Sequence, residues 1–225
     1  MVGCASLANL TATYSPIFKA ILAIISLILF IMITIKFIAY PNLLKEDLKN
    51  PVLSALSPTY PMGLMILSVD AKPFLGNFSM VLWFIAIAIY LYTFLHFVHK
   101  FAKSFRINNV YLPYLIPFIG FSVITMTSGA FGMHTIGLIA FYIAAISSAI
   151  LIWPVFYRYI TYTDIPDSVK PSLTILSAPI AIILVAYFSI FEEKSTLLIS
   201  LLLGISVISC IIVLRFLPSL VKLEF

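Results

Sequence analysis

The sequence predicts an all-α fold: a polytopic transmembrane helix bundle of helical-hairpin repeats, with short proline-kinked inner helices surrounded by long outer helices. Three observations predict it. Of the 225 residues, 63% are hydrophobic and 9% charged, whereas a water-soluble domain carries about 25% charged residues. The apolar residues gather in runs long enough to cross a bilayer, which takes roughly 20 residues for about 30 Å of hydrocarbon. Long smooth runs alternate with short ones that contain proline, and the short ones recur with a period near 60 residues.

In chain order, a small-residue stretch at 1–14 comes first, and full spans follow at about 16–40, 51–69, 74–98, 111–128, 132–159, 172–190 and 195–217. Residues 1–225 therefore read as a single transmembrane domain. Each run is apolar on all sides, as expected of helices surrounded by lipid and other helices. The ten-residue polar and apolar alternation of a membrane β-barrel is absent. Loop charges set the topology. Lys45 and Lys49 follow the first full span, Lys100, Lys103 and Arg106 the third, Arg158 and Lys170 the fifth, and Arg215 and Lys222 lie at the tail. The intervening loops hold Lys72, no basic residue after the fourth span, and Lys194 beside Glu192 and Glu193. By the positive-inside rule the C-terminus is cytoplasmic and the Ser15 turn is outside. The net charge of +5 is thus topological. No basic stripe with interleaved aromatics is present, so nucleic acid is not an expected partner.

The short spans can be aligned. Windows of 18 residues starting at Pro51, Tyr111 and Ser172 end in Ser68, Ser128 and Ser189, and carry a proline at window position 8, 7 and 8: Pro58, Pro117 and Pro179. An interior proline removes a backbone donor and leaves the carbonyl four residues earlier without its helical partner. Hydrocarbon cannot satisfy that group, so the short helices are expected inside, against other helices or a water-filled path. Small and hydroxyl residues on them, including Ser54, Ser57, Gly63, Gly120, Ser122, Ser177 and Ala178, permit either close helix packing or a narrow polar lining. The candidate pore-lining residues of the first short helix are Ser54, Ser57, Pro58 and Pro61. Those of the second are Pro117, Phe118, Gly120 and Phe121, and those of the third Ser177, Ala178 and Pro179.

No acidic or basic side chain lies deep in these helices, which disfavours proton or cation coupling. A path of hydroxyls, amides and helix dipoles stabilises negative charge without a fixed countercharge, so a small anionic solute is the expected cargo. Asp70, Asp164, Asp167, Glu192 and Glu193 fall at span ends, where capping or contact with water is expected. His96, His99 and His134 read as interface residues. A metal pair at His96 and His99 lacks a supporting cysteine or carboxylate, and the sequence contains no GxSxG, HExxH or P-loop. No catalytic residue, metal or cofactor is expected. Cys4 and Cys210 share no ligand spacing, and Met1 to Cys4 lacks the leader of a lipoprotein site. The triplets at Asn9 and Asn77 lie in or beside membrane segments and read as chance glycosylation matches.

At Asn50-Pro51-Val52, at Tyr111-Leu112-Pro113 with Pro117-Phe118-Ile119-Gly120, and from Lys170-Pro171-Ser172-Leu173 through Ala178-Pro179 to Tyr187-Phe188-Ser189, the chain resembles the tellurite-resistance/dicarboxylate transporter family. That family includes plant slow anion channels and the yeast malate permease. The resemblance covers most of the chain. It implies ten helices in five hairpins, with the odd inner helices forming a proline-kinked pore and the even ones an outer ring, usually as homotrimers in the plasma membrane. The spans from Pro51, Tyr111 and Ser172 then correspond to the third, fifth and seventh helices. Residues 1–14 correspond to part of the first inner helix, and the gating phenylalanine of the ninth falls beyond Phe225. The expected function is a transporter or channel for small anions, either C4-dicarboxylate or inorganic. The alternative is a truncated non-transporting remnant or an assembly subunit.

Overall fold

Helix starts are written locally by a capping residue followed by proline. Ser15 is extended and its hydroxyl accepts from the Phe18 amide, with Pro16 next. Asn50 repeats the device, its Oδ1 accepting from the amides of Val52 at 2.9 Å and Leu53 at 3.3 Å ahead of Pro51. Such caps satisfy helix-end amides, and proline at the first position forfeits no bond.

The computed structural model describes residues 1–11, 14–102, 107, 110–161, 172, 174–176 and 178–221. The chain packs as two compact units, Met1–His99 and Lys100–Phe225. The first contains α1 (Val2–Thr11), α2 (Pro16–Ala39), α3 (Pro41–Asp47), α4 (Pro51–Leu56), α5 (Thr59–Asp70), α6 (Lys72–Leu75) and α7 (Phe78–Phe97). The second contains α8 (Ile116–Ile119), α9 (Phe121–Ser128), α10 (His134–Thr161), α11 (Ala178–Ile190) and α12 (Thr196–Val221). Among the described residues there is no strand, and six helical segments are long and apolar enough to cross a membrane. The third proline-containing span is shorter, its described α-helix being Ala178–Ile190.

Burial separates the two kinds of span. The segments Pro51–Asp70 and Leu112–Phe131 are 56% and 67% buried over their apolar windows, against 6%, 22%, 28% and 6% for Pro16–Ala39, Phe78–Phe101, His134–Val155 and Thr196–Arg215. The proline-containing segments are therefore the inner ones of their own units, and the long helices present apolar side chains outward. In the first unit α5 packs on α7, α2 and α1. Ala5 and Ala8 of α1 and Trp83, Ala86 and Tyr90 of α7 are fully buried there. In the second unit α9 packs on α10 and α11, and α11 on α12.

Two details depart from the expectation. The long helices are not all free of proline, since Pro154 lies inside α10. The prolines of the short helices also start helices more than they bend them: Pro58 precedes α5, while Pro117 and Pro179 occupy the first turns of α8 and α11. Two turns need glycine. Gly76 (φ +53°) links α6 to α7 and Gly132 (φ +68°) precedes α10, a backbone region that a side chain disfavours.

Candidate permeation pathway

The carbonyl that Pro58 leaves without a helical donor is that of Ser54. It is not orphaned, because the Ser57 hydroxyl donates to it at 2.8 Å and the Ser57 amide approaches at 3.3 Å. The next hydroxyl, Thr59 Oγ1, bonds the Leu56 carbonyl at 2.7 Å. Serine and threonine around the break thus do the work that the lost amide would have done. The same logic holds in the second unit, where the Pro113 carbonyl, four residues before Pro117, accepts from the Ile116 amide. The serines that close the windows are alike in turning back on their own helices: Ser68 to Met65 O, Ser128 to Thr125 O and Ser189 to Val185 O.

In the first unit Ser54, Pro58 and Pro61 are buried and Ser57 is half-buried. A cavity of about 260 Å³ adjoins the α4–α5 break, with Ser57, Thr59 and Tyr60 on one wall and Ile33, Lys36 and Phe37 of α2 on another. Tyr60 ties the break to α2. Its ring stacks on Phe30 at 4.8 Å and its hydroxyl lies 2.9 Å from Thr34 Oγ1. In the second unit Pro117, Gly120, Phe121 and Pro179 are buried, while Phe118 and Ala178 are half-buried. Packing of α11 against α8 and α9 brings these two short segments together. Ser177 lies outside the described residues.

Two inner-helix hydroxyls are buried and unsatisfied. Ser54 Oγ in the first unit and Ser122 Oγ in the second are buried with no hydrogen-bond partner among the described residues. A buried hydroxyl without a partner costs free energy. Ser148 of α10 is in the same state.

Sequence reasoning missed several polar contacts. Asp70, expected at a helix cap or in water, is buried at the end of α5 and faces Lys19 of α2 at 3.9 Å. At the opposite end of α2, Lys36 meets Asp47 at 4.0 Å. Arg158, read as a loop charge, belongs to the last turn of α10, is 2% exposed and lies 4.9 Å over the Tyr111 ring. His134 bonds through Nε2 to the Ile190 carbonyl at 3.0 Å. Only the pairing of opposite charges at matching helix ends was a usable signal for any of these. Among the described residues no group of three histidine, cysteine or acidic side chains is placed to hold a metal ion.

Buried proline-bearing spans, longer apolar helices outside them, and charged groups kept to the span ends among the described residues define a multi-pass integral membrane protein. The chain matches the SLAC1 family, described as voltage-dependent anion channel, over residues 1–223, and it belongs to that family. The resemblance read from its short helices is thereby shown, and the family is one of channels, not enzymes. The chain is also 26% identical over 195 residues to the uncharacterized transporter MJ0762 of Methanocaldococcus jannaschii. That alignment covers 79% of this chain and 55% of the relative, so the chain spans about half the length of the curated protein it matches.

Proposed function

We propose that residues 1–225 act as one transmembrane domain that carries small anions, C4-dicarboxylates or an inorganic anion, along its proline-bearing short helices. The observation that carries this reading is the pairing of Ser54 and Ser122, buried hydroxyls without partners, with short helices that hold no interior charge. Neutral donors bind an anion weakly enough to release it, which suits passive passage. The wall would comprise Ser54, Ser57, Pro58 and Pro61, then Pro117, Phe118, Gly120 and Phe121, then Ser177, Ala178 and Pro179. By the family resemblance the working form is a homotrimer in the plasma membrane, with the C-terminus cytoplasmic.

Flux of chloride, nitrate and malate into liposomes containing the purified chain tests the reading. Anion flux that falls in Ser54→Ala and Ser122→Ala, while thermal stability holds or rises, is the expected result. Neither alanine breaks a hydrogen bond, and each removes a hydroxyl whose unsatisfied burial costs about 1–3 kcal/mol. Cation flux without anion flux would reject the proposal.

A further inference from the structure

The second unit contains a cavity of about 200 Å³ beside the first turn of α11. Leu115, which precedes α8, and Ile152 of α10 form one side, Pro179 and Ile180 of α11 another, and Ile205 and Ser209 of α12 close it. Two of the contributing helices, α10 and α12, are long outer ones whose windows are mostly exposed. Its lining offers nothing to water. The one hydroxyl, Ser209 Oγ, already donates to the Ile205 carbonyl at 2.8 Å. A buried water needs two to four polar partners, and an apolar cavity of about 150 Å³ in a soluble protein stays dry and accepts a benzene-sized guest.

Left empty, such a space forfeits dispersion contacts along its whole lining. The surroundings supply a guest. Beside the cavity in sequence, Trp153 of α10 and Ile208 and Ile212 of α12 are 75%, 59% and 40% exposed, on helices long and apolar enough to cross a membrane. The medium next to those side chains is hydrocarbon. We propose that the cavity is a binding site for the acyl chain of a bilayer lipid, whose methylenes lodge against Leu115 and Pro179. The site would couple the state of the surrounding lipid to the start of α11. It requires only that the protein spans a membrane, and it stands whether or not anions are the cargo.

The test is photolabelling of the full chain reconstituted in phosphatidylcholine vesicles that contain phosphatidylcholine with an acyl-chain diazirine, with labelled residues mapped by peptide mass spectrometry. Ile208 and Ile212 report general lipid contact. Leu115 is 0% exposed, so a label there comes from a chain inside the cavity. The expected result is labelling of Leu115 and Pro179 in the wild type, and its loss in Ser209→Leu, which fills the cavity, with Ile212 labelling unchanged. Ile180→Phe fills the same space from α11 and gives the same loss if Ser209→Leu does not fold. Labelling confined to Ile208 and Ile212 in the wild type would overturn the proposal. So would Leu115 labelling that survives in a folded filling variant.

Discussion

Gly137 marks a close approach of α9 and α10. A Cβ there would collide with Ser128 Oγ, lie 2.9 Å from Ser128 Cβ and stand 3.0 Å from Ile190 Cδ1, while the Gly137 carbonyl accepts from Thr125 Oγ1 at 3.0 Å. Gly137→Ala must push two helices apart and is expected to destabilise by about 1–3 kcal/mol, the usual cost of overpacking. Gly63 supplies the contrast, since its added Cβ meets only the mobile end of the Met1 side chain. Gly63→Ala is expected to stay within about 0.5 kcal/mol. Thermal unfolding of both variants in detergent checks the difference, and equal losses would refute it. The sequence marked Gly63 and Gly120 as small residues but passed over Gly137, which lies in a long span with no proline nearby. Small residues permit close approach wherever they occur, and only the partner helix decides which one is used. The Lys19–Asp70 pair eluded the sequence similarly, because its members are 51 positions apart. The Lys19 side chain is 41% exposed and that of Asp70 10%. Lys19→Met strands a buried carboxylate, whereas Asp70→Asn leaves an ammonium that reaches water. The first is expected to cost about 1–3 kcal/mol and the second less. Chemical denaturation of the two variants measures the order, and the reverse order would show that the pair is not what holds Asp70.

At the scale of elements, the starts of helices were the more legible feature. Proline after a capping residue places α2 and α4 at Pro16 and Pro51, where the expected spans begin. The span expected from Phe74 divides instead into α6 and α7, because Gly76 takes a positive φ and resets the chain direction before Phe78. Buried faces were not legible. In α7 the buried residues Trp83, Ala86 and Tyr90 fall three and four positions apart, yet the lipid-facing side is equally apolar, so no polar stripe marks the boundary. Helix ends held by distant partners were hidden for the same reason as the ion pair. The α11 C-terminus has an end carbonyl, Ile190 O, bonded by His134 Nε2 across 56 residues, and the adjoining Phe141, Tyr187 and Phe191 rings pack at 5.0 to 6.2 Å. His134→Ala is expected to cost about 1 kcal/mol, the net worth of one hydrogen bond, and His134→Gln to restore part of it by presenting an amide donor. Hydrogen exchange at the last turn of α11 should rise in the alanine variant and recover in the glutamine one. Exchange unchanged in both would remove the histidine from the role of cap.

For the whole molecule, composition and run length sufficed to give the fold class, and family membership over residues 1–223 agrees with it. The side of the membrane on which each loop is expected comes from an electrostatic rule instead of from packing, and two contacts inside the first unit agree with its grouping of loops on a common face. Lys19 joins Asp70 where α2 begins and α5 ends, and Lys36 joins Asp47 where α2 ends and α3 follows. Both pairs therefore tie loop regions that the charge count assigns to a single face, the first outside and the second cytoplasmic. A wrong assignment of one span would put Lys19 and Asp70 on opposite faces, a distance of about 30 Å that no ion pair spans. The topology predicts the behaviour of single cysteines placed in a background of Cys4→Ser and Cys210→Ser. Lys72→Cys and Lys194→Cys should react with a membrane-impermeant maleimide added to intact cells, whereas Lys45→Cys and Lys100→Cys should react only after permeabilisation. Labelling of Lys45→Cys in intact cells together with protection of Lys72→Cys would invert the protein in the membrane, leaving the helices as they are but reversing every loop.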